Sequence, residues 1–422
     1  MNNRVQQEVD VVVVGGGLSG LAAATYLART GRSVIVFERS GQVGGRAITN
    51  DLNGFLFNLG PHAIYRKGVG ARVLRELGVG FSGGSPSAAG YALHQGQLRT
   101  LPTDPWSLFT TNLFGFPAKL EMARLLTSIG KIDPQAIRHL TLQEWLEREV
   151  RRPEVRQLFS AIVRLSTYAN EPERLSADVA IGQLQLGLKG VYYLDHGWQV
   201  LVDGLRVAAE EAGAKIVTSA KVVAVERDGV VRGMRLEDGS TWSTSVVIVA
   251  TTPAVAAALI EGSDEVGFRE WADAVIPVRA ATLDIGLSRL PQPHARFVLG
   301  IDRPVYLSVH SGVAKLAPEG GAMIHVAKYL PSDDETDPKA VGRELEELLD
   351  LVQPGWRDVL VERRFLSNIV VVNALATAAQ GGLSGRPGPE VPGIPKPVRR
   401  RRLGRPGRLA IGWQPGQRQA RR

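Results

Sequence analysis

Apolar residues cluster at the start of the chain, where Val9 to Val14 is β-branched throughout apart from Asp10, the pattern of a strand buried on both faces. Beyond a glycine cluster, Leu21, Ala24 and Ala28 recur at helical spacing, and Ser33 to Phe37 reads as a second buried strand. From Val73 to Gly197 the apolar positions fall mainly at helical intervals, most clearly in "TLQEWLEREV" and "PEVRQLFSAIVRLSTYAN". The stretch "GVGFSGG" is glycine-rich but follows a helix-like segment, so it reads as a loop. The pattern then changes. "GWQVLVDGLRVAAEEAGAKIV" predicts a helix running into a strand, followed by a hairpin around Asp228–Gly229 and a buried strand that stops at Pro253. From Glu265 to Val372 the chain is strand-rich, with one strong helix in "KAVGRELEELLDLV".

The glycines after the first strand carry chemistry. Gly15, Gly17 and Gly20 form G-x-G-x-x-G, and Glu38, followed by Arg39, ends the second strand. Gly15 permits a tight turn, Gly17 lets a pyrophosphate approach the backbone, and Gly20 lets the helix pack close to the strand. With Gly16, Leu18 and Ser19 they aim the N–H groups and positive end of a helix at the phosphates. Glu38 can accept hydrogen bonds from ribose hydroxyls, and its charge repels a 2′-phosphate, which argues against NADP. A merely structural glycine turn needs no such register of strand, helix, strand and acid. A phosphate loop of the NTPase type is excluded, because no Gly-Lys-Ser/Thr follows.

The next stretch, "SGQVGGRAITNDLNGFLFNLGPHAIY", separates one dinucleotide from another. Gly44, Gly45 and Arg46 offer flexible backbone and a fixed cation for a second phosphate contact, the alternative being a solvated loop with an exposed arginine. From Val11 to Arg46 the chain resembles the FAD-binding amine oxidase and phytoene desaturase superfamily, and every position of that N-terminal signature is filled. The resemblance implies FAD and an α/β fold: a Rossmann-like FAD domain with a discontinuous, mixed α+β substrate domain. Its layout assigns 1–72 and 198–264 to the FAD domain, 73–197 to a helical part of the substrate domain, 265–372 to its strand-rich part, and 373–395 to a return to the FAD domain. It places Gly60, Pro61, His62 and Ala63 of "LGPHA" against the flavin ring, the backbone of Val222 on the adenine, and Thr251 and Pro253 beside the pyrophosphate.

The same resemblance implies hydride chemistry on a C–C bond (desaturase-like) or a C–N bond of an apolar small molecule. The runner-up activity is protoporphyrinogen-oxidase-like or a true amine oxidase. A reading of another class is a non-catalytic carrier of the GDP-dissociation-inhibitor kind, or an FAD-poor truncated form; the intact Gly15–Gly20, Glu38 and Gly45–Arg46 set speaks against the carrier. With no second nucleotide motif, oxygen or a quinone is the expected electron acceptor. Two side chains are candidates for protein chemistry. His62 would lie beside the flavin, where an imidazole can take a proton near neutral pH, or it simply bonds its own loop. Lys328, in "AMIHVAKYL", can match the flavin-side lysine of amine oxidases, or it is a strand-edge lysine in water.

Composition narrows the picture. Apolar residues make up 44% and charged residues 22%, ordinary for a globular chain. The absence of cysteine excludes disulfides, thiolate metal sites, iron–sulfur clusters and a cysteine-linked flavin, and no metal site is expected. The net charge of +8 is local: from Lys396 onward there are 10 basic residues and no acidic one, and without them 40 basic residues face 42 acidic ones, a net −2. Nucleic acid is therefore not an expected partner. Met1 to Asp10 lacks the pattern of a signal peptide, and "VVIVATTPAVAAALI" is broken by Pro253, so a cytoplasmic protein is expected. "WSLFTTNLFGF", Trp106 to Phe116, reads as packed substrate-domain helix, with a peripheral membrane contact or substrate-tunnel lip as the alternative. Residues 396–422 are too rich in Arg, Gly, Pro and Gln for a packed core. They are expected to be disordered and to lack the apolar strand, Gly-Asp turn and helix that close the FAD site in the resembled superfamily. A shifted reading frame or aberrant end would replace that closing motif, whereas a basic arm for nucleic acid or acidic lipid is the competing reading.

Overall fold

The computed structural model describes residues 7–391 except 266, 334 and 335, together with the backbone of 408–411. Two seven-stranded sheets organise it. The first begins with strand β1, Gln7–Val14, which pairs in parallel with β2, Val34–Phe37, in the register Val11 to Val34 and Val14 to Phe37. Helix α1, Leu18–Ala28, connects them. On its other side β1 pairs in parallel with Thr241–Val249, from which an antiparallel meander runs through Val230–Leu236 to Val222–Asp228. Lys215–Val217 extends the β2 edge. Val11, Val12, Val13, Val247 and Val249 are fully buried, which is why β1 and its neighbour need apolar residues at every position rather than at alternate ones.

The second sheet is ordered Leu360–Val372, Val278–Leu287, Ala322–Leu330, Val305–Val309, Phe297–Gly300, Tyr91–His94, Gln97–Thr100. Helix Pro338–Val352 covers one face, burying Val341, Leu345, Leu348 and Leu349 against Leu283, Ile285, Ile324 and Val326. Each such side chain contributes about 1.5–3 kcal/mol of apolar burial. The opposite face carries Thr282, Asp284, His325 and Tyr329. A helical layer packs against that end of the sheet, with Met122, Leu158, Phe159 and Ile181 at its centre and Tyr306 and Tyr329 in the same cluster. One of its helices, Leu142–Glu149, starts from a reciprocal cap in which Thr141 Oγ1 accepts from the Glu144 N–H at 3.1 Å and Glu144 Oε2 accepts from the Thr141 N–H at 2.8 Å.

The region 73–197 is mainly helical, as expected, and also carries a hairpin, Tyr91–His94 and Gln97–Thr100, on the sheet edge, turned by Gln95 and Gly96 at φ 51° and 73°. Three expectations are corrected. Gly83–Gly84, read as loop, pairs with Val191–Leu194. After Val372 the chain does not go straight back to the first sheet. Leu375 and Ala376 join the helical core, Leu383 N–H donates to Asp178 Oδ2 at 3.2 Å, and of the described residues in 373–391 only Val391 reaches the core of the first sheet. Residues 396–407 and 412–422 lie outside the described residues, but the expected lack of a strand in that stretch is overturned. Arg408–Ile411 pairs in parallel with Val246–Val249. Among the described residues no helix is long and apolar enough to cross a membrane.

Candidate cofactor and substrate site

The loop between β1 and α1 is shaped by three different glycine requirements. Gly15 has φ 106°, and a Cβ there would lie 2.6 Å from the Ala250 carbonyl oxygen and 3.4 Å from the Thr251 methyl, which places Thr251 at the turn. A Cβ on Gly20 would sit 1.9 Å from the Gly15 oxygen, so α1 can approach the strand only with glycine at that position. A Cβ on Gly17 would meet nothing within 4 Å, leaving an open cradle. Gly17 caps α1 without a side-chain hydrogen bond, so the first N–H groups of the helix have no side-chain partner and face an anion-binding position.

Glu38 closes the turn. It is 8% exposed, and its carboxylate accepts the Gly16 N–H at 2.8 Å and the Ser40 N–H at 2.9 Å, one on each oxygen. The Glu38 carbonyl accepts from the Ala220 N–H at 2.9 Å, which brings the start of the Val222 strand alongside, while the Val222 side chain packs in the core. Arg39 is exposed beside it. Gly44, at φ 126°, donates its N–H to the Gly16 carbonyl at 2.8 Å, and Gly45, at φ 56°, would carry a Cβ only 3.7 Å from Gly17 Cα. The glycine pair therefore lies directly on the phosphate turn. Arg46 Nη1 donates to the carbonyls of Val370 at 3.3 Å and Val371 at 2.9 Å, using one nitrogen of a group with five donors.

A sequence profile described as "Flavin containing amine oxidoreductase" matches residues 18–280, well over half of the chain. The chain belongs to this family. Its FAD fits the open cradle, the helix N-terminus without a side-chain cap and the carboxylate described above. An uncharacterized protein of Mycobacterium bovis is 30% identical over 304 residues, 60% of this chain and 56% of that protein, so the chain spans little more than half of its relative's length. Protoporphyrinogen oxidase 1 of Spinacia oleracea is 29% identical over 189 residues, 42% of this chain and 32% of that protein. The crystal structure of an oxidoreductase from Methanosarcina mazei superposes with a TM-score of 0.73 at 18% identity, covering 95% of this chain and 94% of the other, and shares the fold.

In this member of the family the loop Gly60–Ala63 lies on the free face of the second sheet. A Cβ on Gly60 would stand 2.9 Å from Ile369 Cδ1 and 3.1 Å from Thr282 Cγ2. Three groups fasten it. The Tyr168 hydroxyl donates to the Pro61 carbonyl at 2.9 Å, from a residue held at φ 61° where helix Pro153–Thr167 ends. The Arg364 guanidinium donates to the carbonyls of Phe57, at 3.4 Å, and of Asn58. His62 Nδ1 pairs with the Gly60 carbonyl at 2.9 Å, so Nδ1 carries the hydrogen and Nε2 the lone pair. The His62 ring stands edge-on to Trp198, centroids 4.7 Å apart. Burial lowers its pKa to about 4, opposed by the Gly60 carbonyl, so the ring is neutral at physiological pH.

Lys328 is not on this face, and its expectation as a flavin-side lysine is corrected. Strand residues alternate, so Lys328 shares the face of Ile324, Val326 and Leu330, under helix Pro338–Val352. There its Nζ donates to Glu344 Oε2 at 2.7 Å, beside Arg303. Nor is it the solvated edge lysine of the alternative reading, since the strand is internal to the sheet.

The face toward the loop carries residues that the motif reading missed. Asp284 and His325 are direct cross-strand partners, both 0% exposed, with Asp284 Oδ1 2.6 Å from His325 Nδ1. Asp284 Oδ2 also accepts from Arg364 Nη2 at 2.7 Å. His310 stacks on Tyr193 with ring centroids 3.7 Å apart, and its Nε2 lies 3.2 Å from the Tyr306 hydroxyl. Burial lowers the pKa of His310 well below the usual range, with His325 and His62 adding repulsion, and burial raises Tyr168, Tyr193 and Tyr306. Thr282 Oγ1, His325 Nε2, His310 Nδ1 and Tyr329 Oη are buried without a hydrogen-bond partner among the described residues. Among those residues no cluster of histidine and carboxylate side chains has the makings of a metal site. A carboxylate in the buried strand "ATLDIGL" was the signal available in the sequence.

Proposed function

We propose that this chain is an FAD-dependent oxidoreductase that oxidises a C–C bond, in the manner of a desaturase, or a C–N bond of a predominantly apolar small molecule. FAD, when bound, would supply the hydride acceptor for that oxidation. The observation that carries the reading is the open glycine cradle under the α1 N-terminus, closed on one side by the Glu38 carboxylate. The α1 N–H groups would hold the diphosphate, Glu38 the ribose, Arg46 a second phosphate oxygen, and the Val222 backbone and Thr251 loop the rest of the nucleotide. Neutral His62 would offer a hydrogen-bond acceptor at Nε2 and serve as a positioning residue rather than a base.

The substrate face is aromatic and holds the Asp284 carboxylate between His325 and Arg364, while Thr282 Oγ1, Tyr329 Oη, His310 Nδ1 and His325 Nε2 have no hydrogen-bond partner among the described residues. That composition, with Lys328 turned to the far face, favours a neutral substrate carrying one or two polar groups over a cationic amine. A protoporphyrinogen-oxidase-like reaction is the second reading, supported by the spinach relative. The acceptor that reoxidises the cofactor is oxygen or a quinone in either reading. The test is an absorption spectrum of the purified full chain with added FAD, followed by anaerobic additions of neutral polyene, tetrapyrrole and amine substrates. Visible flavin bands that bleach with a neutral substrate support the proposal, bleaching with amines alone refutes the substrate class, and absence of bound flavin refutes the enzyme and favours a carrier.

A further inference from the structure

The stretch Trp106–Phe116 is only half packed. Leu108 and Phe114 are in the helical core, as expected of it. Trp106 is 73% exposed, Phe109 65%, Phe116 68% and Leu120 64%. All four belong to one hairpin of two helices, Pro105–Thr110 and Phe116–Ile129, which Lys119 joins by donating from Nζ to the Phe109 carbonyl at 2.5 Å. The Trp106 and Phe109 rings are 6.4 Å apart. Four large apolar side chains exposed together on one element are a patch that needs a partner, not scattered exposure.

Charge selects that partner. Asp104 is spent on its own helix, where its carboxylate accepts the N–H groups of Trp106 at 2.9 Å and Ser107 at 3.0 Å. Glu121 is turned to the N–H groups of Arg151 at 2.7 Å and Arg152 at 3.2 Å. Phe116, Leu120 and Arg124 recur every four residues, so they form one row along the exposed side of their helix. The Arg124 guanidinium makes no hydrogen bond or ion pair among the described residues. The hairpin thus presents aromatic rings beside the exposed Arg124, with Glu121 engaged inward and Asp104, itself exposed, spent on the cap of its own helix. We infer that it docks on a lipid surface bearing anionic headgroups, with Trp106, Phe109, Phe116 and Leu120 entering the interface and Arg124 facing phosphates. The hairpin lies on the surface and does not span it.

The basic segment 396–422 would also be drawn to anionic vesicles, so the experiment compares full chains that all carry it. The full chain is sedimented with vesicles of phosphatidylcholine, with or without phosphatidylglycerol, at physiological salt. The wild-type chain is expected to pellet with the phosphatidylglycerol vesicles. Trp106→Ser/Phe109→Ser should lower the partition coefficient about tenfold or more, the least that removing two aromatic side chains from an apolar phase implies. Arg124→Glu should lower it severalfold on the anionic vesicles alone. Both variants alter exposed side chains and should keep the wild-type melting temperature. Equal pelleting of wild type and double variant would overturn the inference in favour of the basic segment. Wild type left in the supernatant with both vesicle types would also overturn it. So would a loss of self-association in the double variant without change in vesicle binding, since the occupant would then be a second copy.

Discussion

Gly17 and Gly20 lie on the same turn, yet their backgrounds differ completely. Gly20 is required by packing, because its Cβ would lie 1.9 Å from a backbone oxygen, whereas Gly17 has φ −74° and empty space around its Cβ. Gly20→Ala is therefore expected to cost about 1–3 kcal/mol or more of stability even without cofactor. Gly17→Ala should leave the melting temperature unchanged and weaken FAD binding, because a methyl would occupy the cradle. Urea unfolding and flavin titration of the two variants separate these outcomes, and a Gly17→Ala protein as unstable as Gly20→Ala would contradict the open cradle. His62 sets a pH dependence at the same scale. Its folded pKa is depressed, so the unfolded chain binds the extra proton first. Its contribution is fully present above the unfolded value near 6.5, and stability should fall as pH drops from there toward about 4. Thermal melts across that window should show the loss, and His62→Gln should flatten it, with His310, shifted the same way, accounting for part of what remains.

Strand Ala322–Leu330 carries two candidate groups three residues apart, and three is odd. Lys328 and His325 therefore project to opposite faces, Lys328 to Glu344 and His325 to Asp284. Lys328→Met should change stability by no more than about 1 kcal/mol, since it breaks a partly exposed pair, and should leave substrate-dependent flavin reduction intact. Asp284→Ala strands the Arg364 charge and one histidine in the interior and should cost about 3–5 kcal/mol. Denaturant titration checks both values, and collapse of flavin reduction in Lys328→Met would mean that the lysine reaches the other face. The alternation itself was legible in the sequence, but not which face meets the site. That depends on a helix at Pro338–Val352 and a loop at Gly60–Ala63, both remote along the chain. The glycine turn and Glu38 were legible because one continuous strand–helix–strand unit supplies the Gly15–Gly20 and Gly16–Glu38 contacts that define them. The hairpin at Tyr91–Thr100 carried a local signal in Gln95–Gly96, which the surrounding helical periodicity obscured.

At the scale of the molecule, the segment from Arg46 to Pro61 is tied to the second sheet and the helical layer by long-range contacts: Arg46 on the carbonyls of Val370 and Val371, Arg364 on those of Phe57 and Asn58, and Tyr168 on that of Pro61. The last strand of the first sheet, Arg408–Ile411, bears on the same region, because it flanks the end of Thr241–Val249 that leads into Thr251 and the phosphate turn. Its composition is so basic and glycine-rich on either side that sequence pattern alone left it out of the fold. Parallel pairing makes its presence testable amide by amide. The Ala250 N–H donates to the Val14 carbonyl at 2.8 Å, toward β1. N–H groups alternate sides along a strand, so those of Val246 and Ile248 point the same way and those of Val247 and Val249 point toward Arg408–Ile411. Of two consecutive residues in the closing strand, one donates to its neighbour, so Leu409→Pro/Ala410→Pro removes a ladder donor whichever residue supplies it. The double variant should speed hydrogen exchange at Val247 and Val249 by about tenfold or more, equivalent to about 1.4 kcal/mol, while Val246 and Ile248 remain protected by β1. Equal protection at all four positions before and after the change would remove the closing strand from the sheet.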